Sequence, residues 1–206
     1  MTLQSLRFGL FLGALLTLSG CSLLPEKAPS TLYRLPAANV TSHTGAATHP
    51  TRLGIATPEA GHLLSSNRIV VFPEGNVVNV YEGARWHEDA PDMLQAQLIA
   101  GLQQRKLFAN VGSDRLPHDL QLLSELRHFQ SEYDTTPPSI NLQLDVQLVG
   151  RDQRLVASTS FAVRERSASA DIPDVVSAFG RATDQLTDQL ANWLAANATD
   201  CGTQLG

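Results

Sequence analysis

The chain has 206 residues and is mildly acidic, with 20 Asp and Glu against 15 Lys and Arg and a formal net charge of −5 at pH 7. No long basic run is present, so the chain lacks the positive surface that binding to a phosphate backbone requires, and we expect no nucleic-acid partner. The length is sufficient for one domain with a substantial core.

The N-terminal 20 residues predict a cleaved lipoprotein signal peptide. Arg7 is followed by an apolar run, Phe8–Leu18, which is short for a membrane-spanning helix and ends in two small residues before Cys21. We therefore expect cleavage before Cys21 and covalent attachment of diacylglyceryl and palmitate-type N-acyl chains to its thiol and amine. A single-pass anchor with an incidental cysteine, or an ordinary signal peptide cut elsewhere, are the alternatives.

The mature chain is predicted to begin with a lipidated tether, residues 21–30. Pro25 and Pro29 stand there among small and polar residues, a composition that disfavours a helix. A single domain is then expected over residues 31–197, and residues 198–206 form a C-terminal tail.

The second cysteine of the chain, Cys201, lies in that tail. Because acylation would occupy Cys21, no internal disulfide is expected. Cys201 is then either a tolerated thiol or one that joins two chains, and neither interpretation makes it catalytic.

The first half of the domain is predicted to consist of short strands. Thr31–Leu35 is a strand ended by Pro36, and Ala37–Pro50 is a loop with little to bury. Further strands are expected at Leu53–Ala56, Ile69–Phe72 and Val77–Tyr81.

A helix from about Pro91 to Leu107 is the clearest internal element. Asp89 offers an N-cap, and a proline is tolerated in the first helical turn. Apolar residues then recur at helical spacing. The expected buried face comprises Leu94, Leu98, Ile99, Leu102 and Phe108.

The second half repeats this order of strands followed by a helix. Leu120–Phe129 is a predicted strand, and the strictly alternating Ile140–Leu148 and Leu155–Val163 predict a hairpin with one wet face. Asp171 opens a final helix. Its expected buried stripe comprises Phe179, Ala182, Leu186, Leu190 and Trp193.

This order of elements favours an α/β sandwich of the α+β type, in which two main helices cover a mixed, largely antiparallel sheet. The likeness of the two halves reflects either an internal duplication or shared capping chemistry.

Signatures of catalysis and metal binding are missing from the sequence. It contains no Gly-x-Ser-x-Gly, His-Glu-x-x-His or Cys-x-x-Cys pattern, and no phosphate-binding glycine loop. His43 and His49 fall in the predicted loop, where solvation is the simpler explanation of a histidine than metal binding. The densest titratable cluster, His87–Asp89, stands where a helix begins, and its acids suit capping there. We therefore expect no enzyme activity, no cofactor and no metal.

Five segments together carry a family resemblance. They are Thr31–Pro36, Arg68–Val71, Tyr81–Trp86, Leu126–Tyr133 and the strand pair ending in Phe161. With them the chain resembles the ABC-type transport auxiliary lipoprotein family, small lipoproteins that accompany MCE-type lipid-transport systems of Gram-negative bacteria. The run Gly83–Trp86 is the most specific of these motifs. The pair Arg105-Lys106 departs from the family, which tends to place a small residue or glycine at this helix end.

The resemblance implies a non-catalytic, periplasm-facing accessory that helps lipids or other hydrophobic cargo pass between membranes. The permease, the ATPase and the MCE substrate-binding protein would be separate chains. Ser22 stands where lipoproteins of the inner membrane usually carry aspartate, so similarity to that sorting rule favours the outer membrane. A ring-like homo-oligomer would also suit an accessory at the end of a lipid conduit.

Three residues of the most specific segment, Tyr81, Arg85 and Trp86, are the candidate partner-binding residues, since Arg and aromatic side chains dominate binding hot spots. The alternative is structural, with Trp86 packed beneath the following helix and Arg85 paired with an acid.

Two further functions stay open. A lipid carrier requires a concave apolar cavity of roughly several hundred Å³, and an exported enzyme requires a cleft that gathers His87, Asp92 and Tyr81.

Overall fold

The computed structural model describes residues 29–37 and 49–198. Its elements are β1 (Thr31–Tyr33), β2 (His49–Ile55), β3 (Glu59–Ala60), β4 (Arg68–Glu74), β5 (Val77–Trp86), α1 (Ala90–Arg105), β6 (Phe108–Ser113), β7 (Leu120–Glu132), β8 (Ser139–Gly150), β9 (Leu155–Arg166) and α2 (Ile172–Asn197). The predicted signal peptide, Cys21, most of the tether, most of the first loop, His43 and Cys201 lie outside the described residues.

The sheet is organised around β7, its longest strand. One edge of β7 pairs antiparallel with β8 along its whole length. The other edge is shared by three parallel strands in succession, with β2 at Leu120–Leu122, β3 at Glu125–Leu126 and β4 at Gln130–Glu132. Beyond them β6 pairs with β2, β5 and β1 follow β4, and β9 follows β8. Because the longest pairings are antiparallel, the described residues form the mixed, largely antiparallel sheet that the sequence predicts.

The β8–β9 hairpin shows why alternating apolar and polar residues predict strands with one buried and one accessible face. The apolar residues of β8, from Ile140 to Leu148, are almost completely buried, whereas Gln147 and its polar neighbours point to the other face and stay at least partly accessible. A tight turn with Gln153 at φ 61° connects the strands. The predicted hairpin with one wet face is confirmed.

Both helices contribute to one hydrophobic core on the apolar face of the sheet. The predicted leucine face of α1 is buried, and so is most of the predicted stripe of α2. Trp193 is only half-buried, and its ring meets Phe161 of β9 edge-on at 6.1 Å between centroids. The α+β architecture with two main helices is therefore confirmed.

The two helices begin where the sequence predicts, but not by the expected hydrogen bond. Asp89 and Asp171 occupy the N-cap positions with extended backbone, and a proline lies in each first turn. Neither aspartate makes a side-chain capping hydrogen bond. Their contribution is therefore limited to negative charge near the positive end of the helix dipole.

At its C-terminal end α1 stops earlier than the sequence indicated. The prediction that Phe108 belongs to the buried face of the helix is wrong, because Arg105 is the last helical residue and Phe108 begins β6. The chain turns at Lys106, which has the left-handed φ of 53°. Phe108 is buried in the same core that the helix faces. Its apolar side chain is therefore consistent with the predicted helix as well as with the observed strand β6.

The N-terminal strand is shorter than predicted, since it ends at Tyr33 rather than Leu35. Leu35 instead enters the core, and the carbonyl of Pro36 accepts a 2.9 Å hydrogen bond from the side chain of Gln97 in α1. The Pro36 ring lies so close to Gly180 of α2 that a Cβ there would be 2.8 Å from its Cγ. The segment after β1 is thus held by both helices.

Candidate partner-binding site

The segment that carries the three nominated residues lies in the second half of β5. The predicted strand ended at Tyr81, whereas the structure extends it to Trp86. Its pairing with β4 is irregular. The step from Arg68 to Val70 advances two residues along β4, while the partners of these residues, Arg85 and Val80, are five residues apart on β5. Gly83 within this bulge has a φ of 68°, a conformation that residues with a Cβ rarely adopt.

Trp86 is a core residue. Its side chain is 0% exposed and packs against Phe129 and Phe179, with ring centroids at 5.9 Å and 5.2 Å. Its backbone N–H donates a 2.8 Å hydrogen bond to the carbonyl of Asn67, and Ala84 faces the same core. The geometry of Trp86 is therefore that of the structural alternative, in which it packs beneath the helices and presents nothing to a partner.

Tyr81 is half-buried and fixed by its hydroxyl. Its oxygen lies 2.9 Å from the hydroxyl of Ser131, and its O–H donates a hydrogen bond to the hydroxyl of Tyr133 at 3.3 Å. Burial raises the pKa of Tyr81 well above its ordinary value, so the phenol stays neutral. Because Ser131 is completely buried, this hydrogen bond gives Tyr81 a structural role.

Arg85 differs from its two neighbours because it faces outward beside a second arginine. In the register of the sheet it stands between Leu32 of β1 and Arg68 of β4. Leu32 is 62% exposed, and neither arginine forms a salt bridge with any residue of the described ranges. We call this row of Leu32, Arg85 and Arg68 the edge patch. The expected pairing of Arg85 with an acid is not formed within those ranges.

Sequence reasoning found Arg85 but did not connect it with Leu32 and Arg68. The three residues are far apart in the chain, and only the parallel β1–β5 pairing and the bulged β4–β5 pairing align them. The sequence offered one indication that these residues belong together, because all three lie in segments that carry the family resemblance.

An open depression lies elsewhere, beside the N-terminus of α1, with a volume of about 450 Å³. Its lining comprises Thr57, Pro58, Glu59, Ala60, Ser65, Asp89, Pro91 and Asp92. The lining is acidic and open, unlike the enclosed apolar cavity of a lipid carrier. It includes Asp92 but neither His87 nor Tyr81, so the three polar groups of the enzyme alternative do not meet there.

Over residues 29–37 and 49–198, no group of three or more His, Cys, Asp and Glu side chains has the geometry to hold a metal ion. Over the same ranges, no helix combines the length and the apolar character needed to cross a bilayer.

The fold and the nominated segment thus define a small α+β domain whose most specific motif contributes Trp86 to the core and pairs with the edge strand β1. The model of the family described as ABC-type transport auxiliary lipoprotein component matches residues 33–191. The chain therefore belongs to this family, and the resemblance read from the sequence is confirmed.

Solved structures share this fold. The protein XCC0632 from Xanthomonas campestris is 29% identical, with 84% of this chain and 100% of that chain covered and a TM-score of 0.77. An uncharacterized protein is 17% identical, with 81% and 99% covered and a TM-score of 0.64. The protein CT253 from Chlamydia trachomatis is 8% identical, with 73% and 98% covered and a TM-score of 0.50. No curated protein matches the chain.

Proposed function

We propose that this protein is the lipid-anchored accessory of an MCE-type ABC transport system that moves lipids or other hydrophobic cargo between membranes. It acts by binding the MCE substrate-binding protein or the permease, and it catalyses no reaction. The observation that carries this proposal is the family match, which spans residues 33–191 and thus most of the chain that follows Cys21.

The proposed attachment is through acyl chains on Cys21. Each buried methylene contributes about 0.8 kcal/mol, and more than one chain gives stable anchoring. Ser22 in the next position supports the outer membrane, with the domain facing the periplasm. The tether joins the domain at β1, an edge strand of the sheet, so it leaves the folded body at its periphery.

The proposed contact surface is the edge patch. Guanidinium groups bind carboxylates in bidentate geometry, and arginines without an acid of their own are available for an acid on another chain. Leu32 adds an exposed apolar side chain beside them. This combination fits a partner surface with carboxylates around an apolar centre.

The anchor is tested by replacing Cys21 with alanine in cells fed a clickable fatty acid. The wild-type protein is expected to carry the label and to sediment with membranes, whereas Cys21→Ala is expected to lose both properties. A variant that stays labelled, or that stays in the membrane fraction without label, would contradict attachment at this residue.

The contact surface is tested by cross-linking in membranes and identifying the captured chains by mass spectrometry. Arg85→Glu is expected to lose the transport-system proteins while its free energy of unfolding stays within about 0.5 kcal/mol of wild type, as for other surface changes. Arg115→Glu is the control for the charge change, because Arg115 is exposed and, like Arg85, forms no salt bridge within the described ranges. Equal capture by wild type and Arg85→Glu, or equal loss in both variants, would refute the role of the edge patch.

A further inference from the structure

We propose that the tip of the β4–β5 hairpin touches the lipid bilayer that holds the anchor, so that this end of the domain faces the membrane. The contact is made by Val77 and Val78, which we call the valine tip. This inference rests on the acylation of Cys21 proposed above, and it adds the orientation of the domain on the membrane.

The valine tip is an apolar surface at an exposed turn. Val77 and Val78 follow the turn directly, and they are 56% and 47% exposed. Successive residues of a strand point to opposite faces, so the two valines present apolar groups on both sides of the tip. Glu74 is the single charged residue between Phe72 and Val80. Contact with lipid would therefore depend on apolar burial and not on attraction to anionic headgroups.

The direction of β1 brings the tether to the same end of the molecule. β1 runs parallel to β5, with Thr31 opposite Ala84 and Tyr33 opposite Trp86. β5 itself starts at the valine tip. A chain that enters β1 therefore approaches from the side of the hairpin tip.

The length of the tether is sufficient to place the anchor level with the tip. Leu32 and Arg68 both pair with Arg85, so the register of the sheet aligns them. From Arg68, β4 runs to Glu74, which stands opposite Val77. At about 3.3 Å per residue this part of β4 spans roughly 20 Å. The chain from Cys21 to Leu32 spans at most about 36 to 40 Å. The number of residues between Cys21 and Leu32 is therefore sufficient for the anchor to reach the level of the valine tip.

The opposite end of the sheet offers an internal comparison. Leu155 is 59% exposed, and it pairs with Val149, which pairs with Gln121 near the start of β7. The β4–β5 hairpin is aligned with the other end of β7, because Phe72 of β4 stands opposite Glu132 of β7. The length of β7 between these positions is about 36 Å, so a membrane surface that touches the valine tip lies far from Leu155.

The test uses the full acylated chain in vesicles of phosphatidylcholine, with Cys201 replaced by serine in every variant. An NBD fluorophore is attached to Val78→Cys, to Val77→Cys, or to Leu155→Cys as the matched control. Fluorescence is compared with and without lipids that carry a nitroxide near the headgroup. We expect the signal at either valine position to fall at least twofold, and the signal at position 155 to stay within about a tenth of its starting value.

The outcomes separate the two proposals. Mass spectrometry of the reconstituted protein establishes first whether Cys21 carries acyl chains, and an unacylated protein would overturn both the anchor and this inference. With acylation present, equal quenching at positions 78 and 155 would overturn the orientation alone. A blue-shifted signal at position 78 without nitroxide quenching would also overturn it, because a protein surface would then cover the valine tip.

Discussion

At Lys106 the chain leaves α1 through a conformation that glycine adopts without strain. Its φ of 53° lies in the left-handed region, where a Cβ costs roughly 1 kcal/mol. The pair Arg105-Lys106, noted in the sequence as a departure from the expected family pattern, thus places a residue with a Cβ where glycine would be free of strain. The side chain of Lys106 is exposed, and its loss removes no packing.

We expect Lys106→Gly to raise the free energy of unfolding by about 1 kcal/mol, because the native φ is then free of strain although the unfolded chain gains some entropy. Urea denaturation of the soluble domain measures the change. Gln104→Gly is the matched control inside the same helix, and it should lower the free energy of unfolding by about 1 kcal/mol. Destabilisation in both variants would contradict the assigned backbone conformation.

The candidate site illustrates at the residue scale what sequence chemistry can and cannot resolve. Arginine and tryptophan are enriched in binding hot spots, which is why Arg85 and Trp86 were nominated together. A large aromatic residue is equally suited to a core, and Trp86 is fully buried between Phe129 and Phe179. Exposure depends on how the strand is placed in the sheet, and one local segment does not contain that information.

Among the elements, β2 and β7 are joined by a salt bridge as well as by strand pairing. Asp119, just before β7, accepts hydrogen bonds from the backbone N–H of Arg52 at 2.9 Å and from its guanidinium at 3.1 and 3.2 Å. Arg151, next to the β8–β9 turn, also pairs with Asp119. These bonds, chiefly those from Arg52, lower the pKa of Asp119 far below its ordinary value.

The lowered pKa of Asp119 makes the free energy of unfolding depend on pH in a definite direction. A carboxyl whose pKa is lower in the folded state stabilises the fold above its ordinary pKa near 4, and that contribution is lost as the pH falls further. Asp119→Asn should therefore be less stable than wild type at pH 7, and the difference should shrink below about pH 4. Urea midpoints at a series of pH values measure it. Glu74→Gln, at an exposed carboxylate without a salt bridge in the described ranges, should follow the wild-type profile. A difference for Asp119→Asn that stays constant with pH would contradict the pairing.

The contact between the N-terminal segment and α2 reverses the usual effect of a helix substitution. Alanine in place of glycine inside a helix normally stabilises by about 1 kcal/mol. At Gly180 the added methyl would meet the ring of Pro36 at 2.8 Å, so we expect Gly180→Ala to destabilise the domain instead.

A double-mutant cycle with Pro36→Gly isolates this contact. Removing the ring removes the clash, so the Gly180→Ala change should become neutral or stabilising in the Pro36→Gly background. Chemical denaturation of the four proteins gives the coupling energy. Additive effects of the two substitutions would show that the segment does not lie against α2.

Prediction from sequence succeeded for elements with a strong period and failed for pairings between distant strands. The alternation of apolar and polar residues in β8 and β9 and the helical spacing of apolar residues in α1 and α2 identify these elements locally. β6 was missed because Lys106 gives no sign of a helix end and Phe108 continues the apolar face. The division of one β7 edge among β2, β3 and β4 depends on long-range contacts that no local pattern encodes.

Over residues 29–37 and 49–198, apolar side chains are concentrated between the sheet and the helices, while the outer face of β7, β8 and β9 is largely polar. Glu132 lies on that outer face, where it accepts hydrogen bonds from Asn141 and Gln130 and pairs with Arg164 at 2.9 Å. Together with the acidic lining of the depression beside α1, this distribution favours an accessory that works through protein contacts over a carrier that encloses lipid.

The carrier alternative is tested by native mass spectrometry of protein extracted with a mild detergent. We expect the mass of the mature chain plus its covalent acyl groups and no further lipid, because the depression beside α1 is open and carries three acidic residues, and so is not an enclosed apolar cavity for a hydrocarbon chain. A retained phospholipid at near one molecule per chain would favour the carrier.

The short strand β1 also determines how the domain bears mechanical load. Its backbone pairs in parallel with β5, and Leu35 and Pro36 follow it into the body of the protein. A pull on the N-terminal end along the strand axis therefore acts on the β1–β5 hydrogen bonds together, in shear, instead of peeling them off one at a time. With the attachment through Cys21 proposed above, a force transmitted along the tether would be resisted at the point where the tether enters the sheet.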